Sequence, residues 1–199
     1  MTAGERHSGV DPEERFTALY RAHHAAVLRY AARRTDPDTA RDVVADTFLV
    51  AWRRLADLPA SPAELEPWLY GVARRSLANA QRSRRRTERV TARLAREPRD
   101  TSPAPDLVEA ATAQANLDQA LRHVPGRDQE VLRLVGWEEL DLAATALALG
   151  CSRATASVRL HRARRRLARA MNAIDRSQRS ADDAAAPGTM RTTIKRETT

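Results

Sequence analysis

Between Gly150 and Leu167 the chain joins a turn to an amphipathic helix in a way that leaves little choice of local fold. Gly150 permits the left-handed backbone that ends a helix, and the Ser152 hydroxyl can cap the next one. Ahead of the glycine, Leu140 to Leu149 reads as a short helix, with Ala146 small where two helices must cross. Beyond it, Ala156, Leu160, Ala163 and Leu167 recur at helical spacing and form one buried stripe. The other positions, among them Ala154, Val158, His161, Arg162, Arg165 and Arg169, face outward, and no acid occurs from Ser152 to Met171. The pattern is a helix-turn-helix whose second helix is basic. Arginines on its rim suit phosphates, while Ser157, Val158, His161 and Arg162 in its N-terminal half suit base edges in a major groove. A basic face docked on an acidic protein is the competing reading, although solvated faces usually mix signs.

Composition supports a helical chain with a polyanionic partner. In 199 residues there are 7 glycines and only 4% aromatics, so strand formers are scarce and the expected fold class is all-α. The formal charge is +8, and all basic residues but Lys195 are arginine. A GC-rich coding sequence would also favour alanine and arginine, so the placement of the charge carries the argument. The single cysteine, Cys151, excludes an internal disulfide, and its place in the turn is explained by a small apolar side chain as well as by a reactive thiol. No His and Cys cluster has the spacing of a metal site, so no metal and no cofactor is expected. No apolar run approaches the roughly 18 residues that span a bilayer, which points to the cytoplasm and away from a membrane.

Along the chain, two helical units are expected. Residues 1–10 are polar and expected to be disordered, and Phe16, Leu19, Tyr20, His23, Val27 and Tyr30 then mark one helix face. Asp36-Pro37-Asp38 breaks and restarts the helix, and Val44, Phe48, Ala51, Trp52 and Leu55 form the next stripe, ending near Asp57. Leu58 to Pro67 holds three prolines, at 59, 62 and 67, and reads as a constrained loop. A third helix, Trp68 to Arg86, carries Arg74, Arg75, Arg82, Arg84, Arg85 and Arg86 and no acid. The first unit is therefore 11–86. Residues 87–106, with Pro98, Pro103 and Pro105, read as a flexible linker, 107–174 as a second unit ending in the helix-turn-helix, and 175–199 as a disordered tail.

Three segments carry a resemblance: Asp42-Val43-Val44-Ala45-Asp46-Thr47-Phe48-Leu49-Val50-Ala51-Trp52, then Trp68-Leu69-Tyr70-Gly71-Val72-Ala73-Arg74, then Gly150-Cys151-Ser152 through Arg159-Leu160-His161-Arg162-Ala163-Arg164. In that order and at those distances the chain resembles a bacterial RNA polymerase sigma factor of the extracytoplasmic-function (ECF) type, over roughly Phe16 to Met171. The resemblance implies that Asp42 and Asp46, with Arg53 assisting, contact core RNA polymerase. It implies that the proline-rich loop and following helix meet the minus-ten promoter element, with Ser61, Glu64, Arg74, Arg75 and Arg82 as contacts. A base flipped from the melted strand would sit in a pocket shaped by residues 60–66. Trp68 and Tyr70 fit either the core or base stacking. The helix-turn-helix would read the minus-thirty-five element through Arg153, Ser157, Val158, His161, Arg162 and Arg165. Ala45 stands where glutamine is common, and Ser157 and Val158 where arginine and serine are common.

The implied partners are core RNA polymerase and promoter DNA; an anti-sigma protein is common in the group, though no residue here points to one. Two rivals remain at this level. One is a stand-alone helix-turn-helix regulator whose first half dimerises or senses a signal. The other, an enzyme with a nucleic-acid-binding appendage, lacks any nucleophile-base pair, phosphate loop or metal motif, so the chain is expected not to be an enzyme.

Overall fold

The computed structural model describes residues 11–91 and 108–185, which form seven α-helices and no strand. The expected disordered N-terminus, most of the expected linker and the last part of the tail lie outside the described residues.

Helix α1 (Pro12–Ala32) starts on the Asp11 cap, and α2 (Pro37–Arg53) starts on Asp36. The Asp36 carboxylate accepts from the Thr39 amide at 3.0 Å and the Thr39 hydroxyl at 2.8 Å, and these bonds hold its pKa at about 2. A short 3-10 turn, Leu55–Asp57, follows, then α3 (Pro62–Thr91). The proline-rich stretch is thus a loop only as far as Ser61. Pro62 opens the helix, where a missing amide costs nothing, and Pro67 lies inside it with its ring buried. At its other end α3 runs on through residues 87–91, so the first five residues of the expected linker are helical.

Helices α4 (Val108–Arg122), α5 (Gly126–Gly136), α6 (Leu142–Leu149) and α7 (Arg153–Ala185) make the second half. Gly150 has φ +65°, the Gly150 amide bonds Leu147 O, and the Cys151 amide bonds Ala146 O, which is the paired closure of a glycine-terminated helix. Ser152 Oγ accepts from the Thr155 amide at 3.2 Å and so caps α7. Helix α7 continues to Ala185, so residues 175–185 are helical where a disordered tail was expected. Ile174 is buried, and Asn116 of α4 and Gln178 exchange amide hydrogen bonds at 2.8 and 3.3 Å.

The first half packs α1, α2 and α3 around Val27, Tyr30, Val43, Phe48 and Leu69. The second packs α4, α5 and α6 against α7, with Ala156 and Ala163 fully buried as the stripe required. The two halves also pack on each other. Helix α6 lies along α3, and Leu134 and Ala148 join the core of the first half.

At that junction the Arg34 guanidinium donates to Glu130 at 3.0 Å and to Glu138 at 2.9 Å, with Arg34 and Glu138 each only 4% exposed. The Tyr30 hydroxyl donates to Glu130 at 2.7 Å, and Arg34 stacks 3.6 Å from the Tyr30 ring centroid. Burial works against the Arg34 charge, but Glu130 and Glu138 outweigh it and raise its pKa. Arg33 adds bonds to Glu138 and to Trp137 O. Removing one member of such a buried group strands the opposite charge, which costs about 3–5 kcal/mol. Arg34→Ala is therefore expected to lower the melting temperature sharply in calorimetry, whereas Arg41→Ala, which ends only an exposed pair with Asp38, should leave it nearly unchanged.

Candidate nucleic-acid interface

The reading face of the helix-turn-helix is open. Arg153, Ser157, Val158, His161, Arg162 and Arg165 all lie exposed on the first half of α7, with Val158 66% exposed. A valine so bare on a helix seated by buried alanines has no packing role, and contact with a base methyl would suit it. Arg164, Arg166 and Arg169 are also exposed beside this face. Two of the arginines are not free in the way the sequence implied. Arg162 Nη2 donates to Asp128 Oδ1 at 3.1 Å, and Arg166 Nη1 donates to the other oxygen of that carboxylate.

The expected minus-ten residues are more scattered. Ser61 and Glu64 lie exposed at the start of α3, and Arg75 and Arg82 are exposed further along it. Arg82 bonds Asn79 of its own helix. Arg75 sits with Arg54 and Arg74 in a local concentration of positive charge; partial burial and then these two neighbours push its pKa down. Arg74 is taken. Its Nε and Nη2 donate to Ala148 O at 3.3 Å and Leu149 O at 3.2 Å, the free carbonyls at the end of α6, where a cation also suits the helix dipole. Of the two aromatics, Tyr70 is core: buried, stacked on Tyr30 at 4.7 Å and bonded to Glu66. Trp68 is half-buried beneath Arg54.

On α2, Asp42, Asp46 and Arg53 fall on one exposed face with Leu49, and neither carboxylate is ion-paired among the described residues. Trp52, counted with the buried stripe in the sequence, is exposed and packs edge-on to Phe16 at 5.1 Å. Bare carboxylates flanked by Leu49 and Trp52 make a surface for a partner with basic and apolar groups. No cluster of His, Cys, Asp or Glu suited to a metal occurs among the described residues, and no described helix is long and apolar enough to cross a membrane.

The sequence offered no signal for the junction, since its partners lie about a hundred positions apart. Asp128 had a signal that a plainer role explained: an acid in the first turn of a helix satisfies the dipole there.

Residues 19–87 match Sigma-70 region 2, and residues 114–167 match Sigma-70, region 4. The ECF RNA polymerase sigma factor SigL of Mycobacterium tuberculosis is 31% identical over 151 residues, 75% of this chain and 85% of SigL. This chain belongs to the ECF sigma factors. A second sigma factor of the group, BldN of Streptomyces coelicolor, is 31% identical over 157 residues, 77% of this chain and 59% of BldN. Two solved structures share the fold at 23% identity. They are RpoE of Bartonella quintana in complex with the anti-sigma factor NepR (TM-score 0.59; 79% of this chain, 96% of that one) and CnrH in complex with the cytosolic domain of CnrY (0.53; 81% and 90%).

As a sigma factor the chain binds core RNA polymerase and directs promoter-specific initiation of transcription, a non-catalytic role in its family. The stand-alone regulator is not favoured, because the half it leaves unexplained is the region 2 match. Region 2 spans nearly all of α1 to α3, and region 4 runs from within α4 into α7.

The sigma factor's two basic helices thus differ in access: α7 presents its face, while α3 is partly covered by α6. The covering depends on Gly71, where a Cβ would stand 3.1 Å from Ala148 O. Gly71→Ala should push α6 outward, seen as faster hydrogen exchange of α6 amides with α1 and α2 unchanged.

Proposed function

We propose that the two halves act as separate contacts within one promoter complex. The unit α1–α3 binds core polymerase through Asp42, Asp46 and Arg53 and meets the minus-ten element through Ser61, Glu64, Arg74, Arg75 and Arg82. The unit α4–α7 reads the minus-thirty-five element as duplex through Arg153, Ser157, Val158, His161, Arg162 and Arg165. The observation that carries this reading is the pair of acid-free arginine-rich segments, one inside the region 2 match and one beginning inside the region 4 match. Phosphate contacts by such helices release counterions, so promoter affinity falls steeply with salt.

Arg74 becomes available to DNA only when α6 leaves α3, so the packed arrangement is that of the factor before it engages a promoter. The chain works in the cytoplasm, beside the polymerase, and catalyses nothing itself. An anti-sigma protein is a further partner in this reading, supported by the NepR complex of the similarly folded RpoE.

In transcription with purified core polymerase, the chain should yield promoter-dependent transcripts. Asp46→Arg is expected to lose core binding, and normal binding by that variant would remove α2 from the interface. His161→Ala and Arg162→Ala should keep core binding and lose about tenfold or more in affinity for duplex minus-thirty-five DNA.

A further inference from the structure

We propose that Asp128 is a positioning residue for promoter recognition, acting through Arg162 and Arg166. The inference rests on the assignment of α7 as the minus-thirty-five reader. Asp128 is the third residue of α5, its side chain only 1% exposed, and it faces α7 from underneath. Each carboxylate oxygen takes one nitrogen, from Arg162 and from Arg166, one turn apart on α7. The arginine side chains themselves stay 51% and 42% exposed. One end of each guanidinium is therefore fixed, and its remaining N–H groups are left for an outside acceptor.

A guanidinium reads a base edge or phosphate through a planar, two-point contact. A free arginine side chain must give up many rotamers to make it, whereas one already held by a carboxylate gives up few. The carboxylate comes from α5 because α7 has no acid of its own up to Met171. Being buried, it stands behind the arginines and does not present its charge to DNA.

A structural tie between α5 and α7 would use the same bonds, and so would a decoy that keeps the arginines from DNA. The three roles separate when full-length chain with core polymerase is titrated with a cognate promoter and with one altered only in its minus-thirty-five element. Asp128→Asn should lower the preference for the cognate promoter about tenfold, Asp128→Glu should retain most of it, and Asp128→Asn should add nothing once both Arg162 and Arg166 are alanine. Equal weakening on both promoters would make Asp128 a structural tie and overturn the proposal; so would tighter binding, the mark of a decoy. If Arg162→Ala itself leaves the preference intact, the assignment of α7 is what fails. A measurement on the unaltered chain does not depend on the variants folding. The Arg162 and Arg166 guanidinium nitrogens should give resolved, slowly rotating NMR signals in the free protein, and freely averaged signals would contradict the proposal.

Discussion

The arrangement of this sigma factor depends on one buried group of charges, Arg34 between Glu130 and Glu138 with the Tyr30 hydroxyl on Glu130. Ion pairs withdrawn from water to this degree contribute little net stability while they strongly disfavour any arrangement that separates the partners without hydrating them. They therefore specify how the halves meet more than how tightly. Gly71 against Ala148 and Arg74 on the last carbonyls of α6 fit only that same meeting. Hydration is what such a junction lacks, and it is what each charge regains if the halves part. The junction is thus able both to be specific and to be undone.

The helices themselves were legible because local chemistry marks their ends. Asp36-Pro37 opens α2, Gly150 and Ser152 bracket the turn before α7, and the Ala156 to Leu167 stripe is buried or half-buried as its spacing requires. Local rules misled where packing overrode them. Pro67 reads as a helix breaker, yet it sits buried in α3, where packing outweighs one lost hydrogen bond. Polar composition made residues beyond 174 read as a tail, but Ile174 and the Asn116–Gln178 pair bind that turn of α7 to α4.

The reading face and its exposed residues were equally visible, being a matter of helical spacing. The partners of those residues were not. Asp128, which lies 34 positions before Arg162, changes the picture of the arginines from a free basic fringe to a partly ordered one. Arg74 changes more: as a sequence it is one arginine among the six from Trp68 to Arg86, and in the structure it is a cap on a helix of the other half. On the proposed assignment, the face of α7 is already open, while promoter binding must exchange the bonds of Arg74 to α6 for bonds to DNA.

A distance across the junction tests that requirement most directly. With one spin label on Cys151 and another on a cysteine replacing the exposed Asp57, pulsed electron resonance should give one narrow distance for the free chain. In the complex with core polymerase and promoter DNA that distance should lengthen and the original one disappear. An unchanged distance in a complex that initiates transcription would show that the halves stay together on the promoter, contradicting the account.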